Sequence, residues 1–427
     1  MITENIFIFT LYFLPFQFAL NIGDNIDLVV TRVLVPALFL SWLLRGLAKK
    51  NIWVSQRAET LLVASFLFLC LLSLVFGQDA GMGLRKALFL FSIFPIFFVG
   101  ADLLRKEKIK MRAVWAIVIS GTVAAAIALA QFFLQFAIGL EPAIKISREM
   151  APFFLGRSFG KLVAANPSWL VNVSGETWMR AFGLSPDPHV FSVFASLAFF
   201  VAIGYAAWKK EVLAKIAVFL GAAIMLAAII LSFSRGAYLG LATGILFFAF
   251  FLLKRSGHLG KVLAAAGAIA VVLAAINFQV AVNRLKSTFN FREGSNVERL
   301  KNWGEAIEVI RDYPLSGVGM GNYSHLIDPT ADERSSIYAH NLFLDIAAET
   351  GILNSLVFLF LILVSIWRGI GNRDMISLGI ASGLVYFLTH SLFDTSIWAP
   401  QVAVMLLVIL AIGLYGNNIK MKDQNGK

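Results

Sequence analysis

The chain is short of cysteine and charge, and each shortage removes a class of protein. The single cysteine, Cys70, cannot close an intrachain disulfide, and a cysteine metal site is excluded. Charged residues make up 14% of the 427 positions, against about 25% in soluble domains. No Lys or Arg precedes the first apolar run, and no A-x-A-like cleavage site follows it. That run reads as a retained span and not as a removed signal peptide. Internal repeats, low-complexity tracts and a soluble-domain linker are also missing. Residues 1–427 therefore read as a single integral membrane domain.

What the chain has in quantity is apolar sequence: 59% of residues are hydrophobic, and 39 are Phe. Apolar runs of about 17–25 residues, the length that crosses a bilayer core, recur along its whole length. They fall near 6–22, 28–45, 58–76, 87–104, 113–138, 189–207, 214–232, 236–253, 262–280, 341–367, 375–392 and 401–416. The expected fold is an all-α polytopic membrane protein with about twelve transmembrane helices. A β-barrel would show alternating segments of about ten residues instead.

The net charge of +11 raises nucleic acid as a partner, but its placement argues against one. Basic residues gather in alternate short loops, including Arg45 to Arg57, Arg105 to Arg112, Lys209 to Lys215 and Arg368 with Arg373. The intervening short loops hold only Arg85 with Lys86, and Arg235. The positive-inside rule then puts both termini in the cytoplasm. Two long loops, about 139–188 and 281–339, fall on the outer side, where length overrides charge.

The candidate chemistry lies in and beside these loops. In the second, Glu298 suits the first turn of a helix capped by Ser295 or Asn296 and ended by Pro314. Arg299, Trp303, Ala306 and Ile310 then share an arc of about 60°. Arg299 either snorkels from that apolar face, pairs with a distant acid, or waits for an anion. The glycines of Leu315 to Tyr323 follow no strand, so a nucleotide loop is not expected; a tight turn with exposed amides is. His340 opens the tenth span, as a structural residue or as a general base. Asp345 and Glu349 point about 140° and 180° away from it, so a partner that orients it must come from elsewhere.

Arg235 sits in the short hairpin Ser232 to Ala237, either anchoring to headgroups or facing a ligand. Arg180 precedes a turn-rich entry, Ala181 to His189, to the sixth span. Guanidinium groups hold phosphate in a planar, permanently charged fork, which suits a pyrophosphate leaving group. Arg32, a few residues inside the second span, could join such a site or pair with Asp27 or Asp24. In the first loop, Trp169 and Trp178 stand among basic residues, as sugar platforms or interfacial anchors. The outer loops lack a D-x-D signature and zinc-spaced ligands, so no metal and no cofactor is expected, with Asp328, Asp332 and Glu333 the nearest approach to a metal cluster.

Four motifs in order give the chain a family resemblance. They are R-x-x-G-x-x-x-x-P from Arg180 to Pro188, S-R-G-A at Ser234–Ala237, R-x-x-x-W…P-L-x-G-x-G-x-G from Arg299 to Gly321, and H-N-x-x-L…E-x-G from His340 to Gly351. Over about 175–355 the chain resembles the O-antigen ligase and polymerase superfamily of bacterial membrane glycosyltransferases. The resemblance implies a C-type glycosyltransferase-like fold, and an inverting, metal-independent transfer from an undecaprenyl-diphosphate-linked glycan. It implies His340 as the base and Arg180, Arg235 and Arg299 as the diphosphate-binding residues, with Asn341, Glu349 and Arg32 in supporting places. It also implies the bacterial inner membrane, with the site on the periplasmic face. The leading expectation is a ligase with lipid A–core as acceptor. A polymerase, a protein O-oligosaccharyltransferase and a lipid or solute transporter are the alternatives.

Overall fold

A computed structural model describes residues 2–23, 26–173, 175–209, 211–256, 294–330 and 338–415. The expected ninth span, 262–280, the acids Asp24, Asp332 and Glu333, and Lys420 to Lys427 lie outside the described residues.

Among the described residues, eight helices are long and apolar enough to cross a membrane. The first membrane-facing elements are α1 (Ile2–Phe13), which is shorter than that, and α2 (Thr31–Ala48). Then come α3 (Ala58–Ser73), α4 (Ala80–Ile93) with its continuation α5 (Pro95–Leu103), and the long α6 (Glu107–Ile138). Past the first outer loop follow α9 (Pro188–Trp208), α10 (Val212–Leu231) and α11 (Arg235–Ser256). α15 (Ile352–Gly371), α16 (Met375–Ser391) and α17 (Pro400–Gly413) close the bundle, the last two again short. α9 is apolar on every side and is the most enclosed of these eight, with 89% of its spanning window buried. It packs against α6, α10, α11 and α16, as an all-round apolar helix should.

The expectations need four corrections. The first span does not run to residue 22. Pro15, which lacks an N–H and disfavours helix before it, follows the end of α1, and a hairpin takes over. Its strands β1 (Ala19–Gly23) and β2 (Ile26–Val29) pair Ala19 with Val29 and Leu20 with Leu28, and Thr31 Oγ1 donates to Gln17 Oε1 below them.

The first long loop is mostly regular structure. It holds α7 (Leu140–Leu155), α8 (Arg157–Ala164) and a hairpin of β3 (Leu170–Val173) with β4 (Glu176–Met179). Its Trp169 is buried, donates from Nε1 to Pro186 O at 2.9 Å and stacks on Phe182 at 4.5 Å. That tryptophan is core and not a sugar platform.

The tenth span is two helices, α14 (Leu342–Thr350) and α15, broken at Gly351 with φ +88°. A Cβ there would stand 2.1 Å from Leu315 O, so only glycine lets the chain turn against that carbonyl.

The glycine turn after Pro314 is buried, not exposed. The helix before it, α12 (Gly294–Asp312), places Ala306 and Val309 in a small core with Val318, Tyr323 and Ala348, beside Trp303 and Ile310. The turn then wedges under the α3–α4 connection. Val318 N donates to Ala348 O at 2.9 Å and Met320 N to Ser73 Oγ at 3.2 Å. Gly319, at φ +92°, lies so close to Gly77 that a Cβ would fall 2.4 Å from its Cα. Gly319→Ala is expected to cost at least about 1–3 kcal/mol from backbone strain alone. Gly304, in the middle of α12 with nothing within 4 Å of a Cβ, supplies the opposite sign. There alanine should stabilise by up to about 1 kcal/mol. Thermal unfolding of the two variants in detergent checks both.

The two ends of the bundle differ. One gathers the α2–α3, α5–α6, α9–α10 and α15–α16 connections and is tied by cations. Arg368 forms a two-point pair with Glu59, and Arg255 donates to the carbonyls of Ile370 at 2.8 Å and Asn372 at 2.6 Å. Lys106 meets Glu4 at 2.6 Å, and Arg105 lies 4.2 Å over Trp53. The other end carries both hairpins, α7, α8, α12, α14 and the α16–α17 connection, and there the motif residues meet.

Candidate active site

The site is built from chain turns that end helices. His340 stands before α14, in the left-handed region at φ +52°. For a residue other than glycine this conformation needs outside support. Asp345 supplies it: Oδ1 accepts from Ala339 N at 2.7 Å, while Oδ2 accepts from Thr395 Oγ1. Asn341 caps α14 by accepting from Phe343 N at 3.1 Å and Leu344 N at 3.3 Å. These contacts fix the backbone that carries His340.

The partner of the imidazole is Asp394, in the connection between α16 and α17. Its Oδ1 lies 3.7 Å from His340 Nδ1 and its Oδ2 lies 3.9 Å from His189 Nδ1. Thr395 N and Ser396 Oγ donate to the same carboxylate at 2.8 and 2.9 Å. The pull of Asp394 on the imidazole proton raises the pKa of His340, against burial and the charge of Arg299, which lower it. Burial would push Asp394 up, but His340 and the neighbouring histidines hold it well below the usual carboxylate range. Asp187 caps α9 by accepting from His189 N at 2.7 Å and Val190 N at 2.9 Å. Burial first, and the charge of Asp394 next, push Asp187 up to about 6.

The other motifs join this centre to different degrees. Ser234, in the α10–α11 hairpin, meets His189 Nδ1 at 3.0 Å, which ties the second motif to the residue that follows the first. Arg235 is buried at the start of α11. Arg299 is half-buried on α12, near enough for its charge to act on His340, His189 and His390. Arg180 is buried and held by carbonyls: Nε donates to Ser232 O at 2.6 Å and Nη1 to Ser168 O at 2.9 Å. Glu349 accepts two bonds from Lys86 Nζ at 2.6 and 2.7 Å. Arg32 donates from Nε to Ser92 Oγ at 3.2 Å, while Asp27 accepts from the amides of Arg157 and Phe159.

A cavity of about 1240 Å³ opens beside the imidazole. His340, Asp394, Asp187, Arg32 and Arg85 line it, together with an apolar wall from α4 and α8. The His340 side chain is 45% exposed, so the ring reaches it. One cluster has the composition of a metal site: ligand atoms of His189, His390 and Asp394 lie within 4.8 Å of one another. Tetrahedral zinc needs ligands about 2.0–2.1 Å from the ion, so the cluster would have to contract to hold one.

Asp394, His390, Asp187 and Lys86 did not stand out in the sequence. A signal for Asp394 existed: it follows the eleventh expected span, and topological parity puts that connection on the same side as His340.

Residues 220–359 match the family model described as O-antigen ligase. That match supports the O-antigen ligase superfamily. The matched segment contains Arg235, Arg299, His340, Asn341 and Glu349. Arg180, Arg32 and Asp394 lie outside it. None of the curated proteins matches the chain.

Proposed function

We propose that this protein is an O-antigen ligase-type glycosyltransferase. It moves a glycan from an undecaprenyl-diphosphate carrier to a hydroxyl of lipid A–core. The observation that carries this reading is an imidazole, within the segment that matches the family described as O-antigen ligase, backed by the carboxylate of Asp394 from outside it at the wall of a large cavity. In this reading the basic end of the bundle faces the cytoplasm and the cavity opens on the periplasmic side of the inner membrane.

The chemistry follows from the groups present. The Asp394 carboxylate, 3.7 Å from Nδ1 of His340, favours a proton on that nitrogen, which leaves Nε2 to accept the proton of the acceptor hydroxyl. The hydroxyl oxygen attacks the anomeric carbon as the bond to the phosphate oxygen breaks, so one displacement inverts that carbon. The proton stays on His340 and later passes to solvent. Undecaprenyl diphosphate departs with the electron pair of the broken bond. Arg235 and Arg299 neutralise its growing charge, so neither a general acid nor a metal is required. Arg180 acts through the hairpin it braces.

The test is a transfer assay with purified protein and an undecaprenyl-diphosphate glycan, run with EDTA. Lipid A–core and a second lipid-linked repeat are offered side by side. Transfer to lipid A–core, undiminished by EDTA, is the expected result. Growth on the lipid-linked repeat would make it a polymerase with the same donor chemistry. Loss of activity in EDTA, restored by a divalent ion, would overturn the metal-independent step and point to His189, His390 and Asp394.

A further inference from the structure

We infer that Arg32 and Arg85 form a phosphate subsite on the cavity wall contributed by α2 and α4. This rests on the glycosyltransferase reading and adds a residue pair to it. The phosphate belongs either to the lipid diphosphate of the donor or to a phosphorylated acceptor lipid.

Arg32 is the second residue of an apolar spanning helix, and a charge there needs a reason. Among the described residues it forms no ion pair. Its Nε is fixed by Ser92, whose own hydroxyl donates to Phe89 O at 2.8 Å, and its guanidinium carbon lies 5.8 Å from the Phe89 ring centre. That leaves the two terminal nitrogens, the pair that forms parallel bonds to phosphate, on a preset plane. Arg85 precedes Phe89 by four residues, so both lie on one face of α4. Both arginines line the cavity that His340 and Asp394 line from the other side. Asp27 holds the first amides of α8, and Asp187 those of α9.

The wall thus pairs a fixed guanidinium and a second cation with apolar surface from Leu88 and Phe89. That combination suits an anion carried on a lipid. It also differs in place from the three motif arginines, none of which lines this cavity.

Binding is read in lipid nanodiscs with three probes: undecaprenyl diphosphate without glycan, lipid A–core, and dephosphorylated lipid A–core. Arg32→Gln and Arg85→Gln should each weaken at least one phosphorylated probe by about tenfold or more. Affinity for the dephosphorylated probe should not change. Arg32→Lys, which keeps the charge but not the fork, should fall between. The phosphorylated probe that suffers identifies the source of the phosphate. His340→Ala should bind all probes like the parent while transfer falls by about 10²–10⁴-fold. If the parent binds the phosphorylated probes and both glutamine variants match it, the subsite is refuted and the transferase reading stands. A parent that neither binds them nor transfers glycan refutes both.

Discussion

His340→Ala is expected to lower glycan transfer by about 10²–10⁴-fold, the usual worth of a positioned general base. Donor binding and thermal stability should stay near the parent's, because the ring is half exposed in the cavity and Asp345, not His340, supports the local backbone. The pH profile carries the sharper information. A base works only when neutral, so activity should rise with pH through the pKa of His340, which Asp394 holds above its ordinary value. Asp394→Asn removes that pull while keeping the shape. Its acid limb should therefore move to lower pH, and its plateau should fall because the imidazole is less basic and less firmly oriented. An acid limb that stays in place would mean that His340 is not the titrating base, whatever the loss in rate.

The features that could be read from sequence are those governed by local rules. Span length and the apolar face of α12 depend on neighbouring residues: eight of the described helices are long and apolar enough to cross a membrane, against about twelve expected, and Ala306 with Val309 is buried on α12. Hydropathy failed where backbone geometry decides. The apolar run 6–22 reads as one span, yet the helix ends at Phe13 and the chain from Ala19 pairs as a hairpin. At Gly351 a single positive φ divides one apolar stretch into two helices. The glycine turn was recognised as a turn, but its amides find partners on α3 and α14, which no local pattern reveals.

The same division runs through the site. His340, Arg235 and Arg299 are visible because each is an unusual residue for its surroundings. Helical angles do not decide the place of Asp345 and Glu349, because His340 stands before α14 at φ +52°; Asp345 accepts from Ala339 N and Thr395 Oγ1, and Glu349 from Lys86. Asp394 was missed because the contact joins two separate helix ends, and one sequence carries no record of which ends meet. Arg180 donates to the carbonyls of Ser232 and Ser168; a side chain that braces a hairpin and one that holds phosphate are alike in sequence.

The pair Lys86–Glu349 should give the largest effect on stability. Lys86 rises from α4 and Glu349 from α14, and the two side chains are only 13% and 8% exposed. Lys86 Nζ also lies 4.0 Å over the ring of Trp398. Removing one member leaves the other charge enclosed without its counter-ion, which costs about 3–5 kcal/mol in buried pairs. Glu349→Gln and Lys86→Met should each lose about that much. The double variant Lys86→Met with Glu349→Leu should recover most of it, since buried pairs replaced by apolar side chains are often neutral. Unfolding of all three in detergent, followed by tryptophan fluorescence, separates a pair from two independent contacts. Additive losses in the double variant would sink the argument. The consequence for catalysis is positional. α14 carries Asp345, which braces the turn at His340, so loosening its far end shifts the base. Single variants should therefore lose transfer at temperatures where they remain folded, and the double variant should regain transfer along with stability.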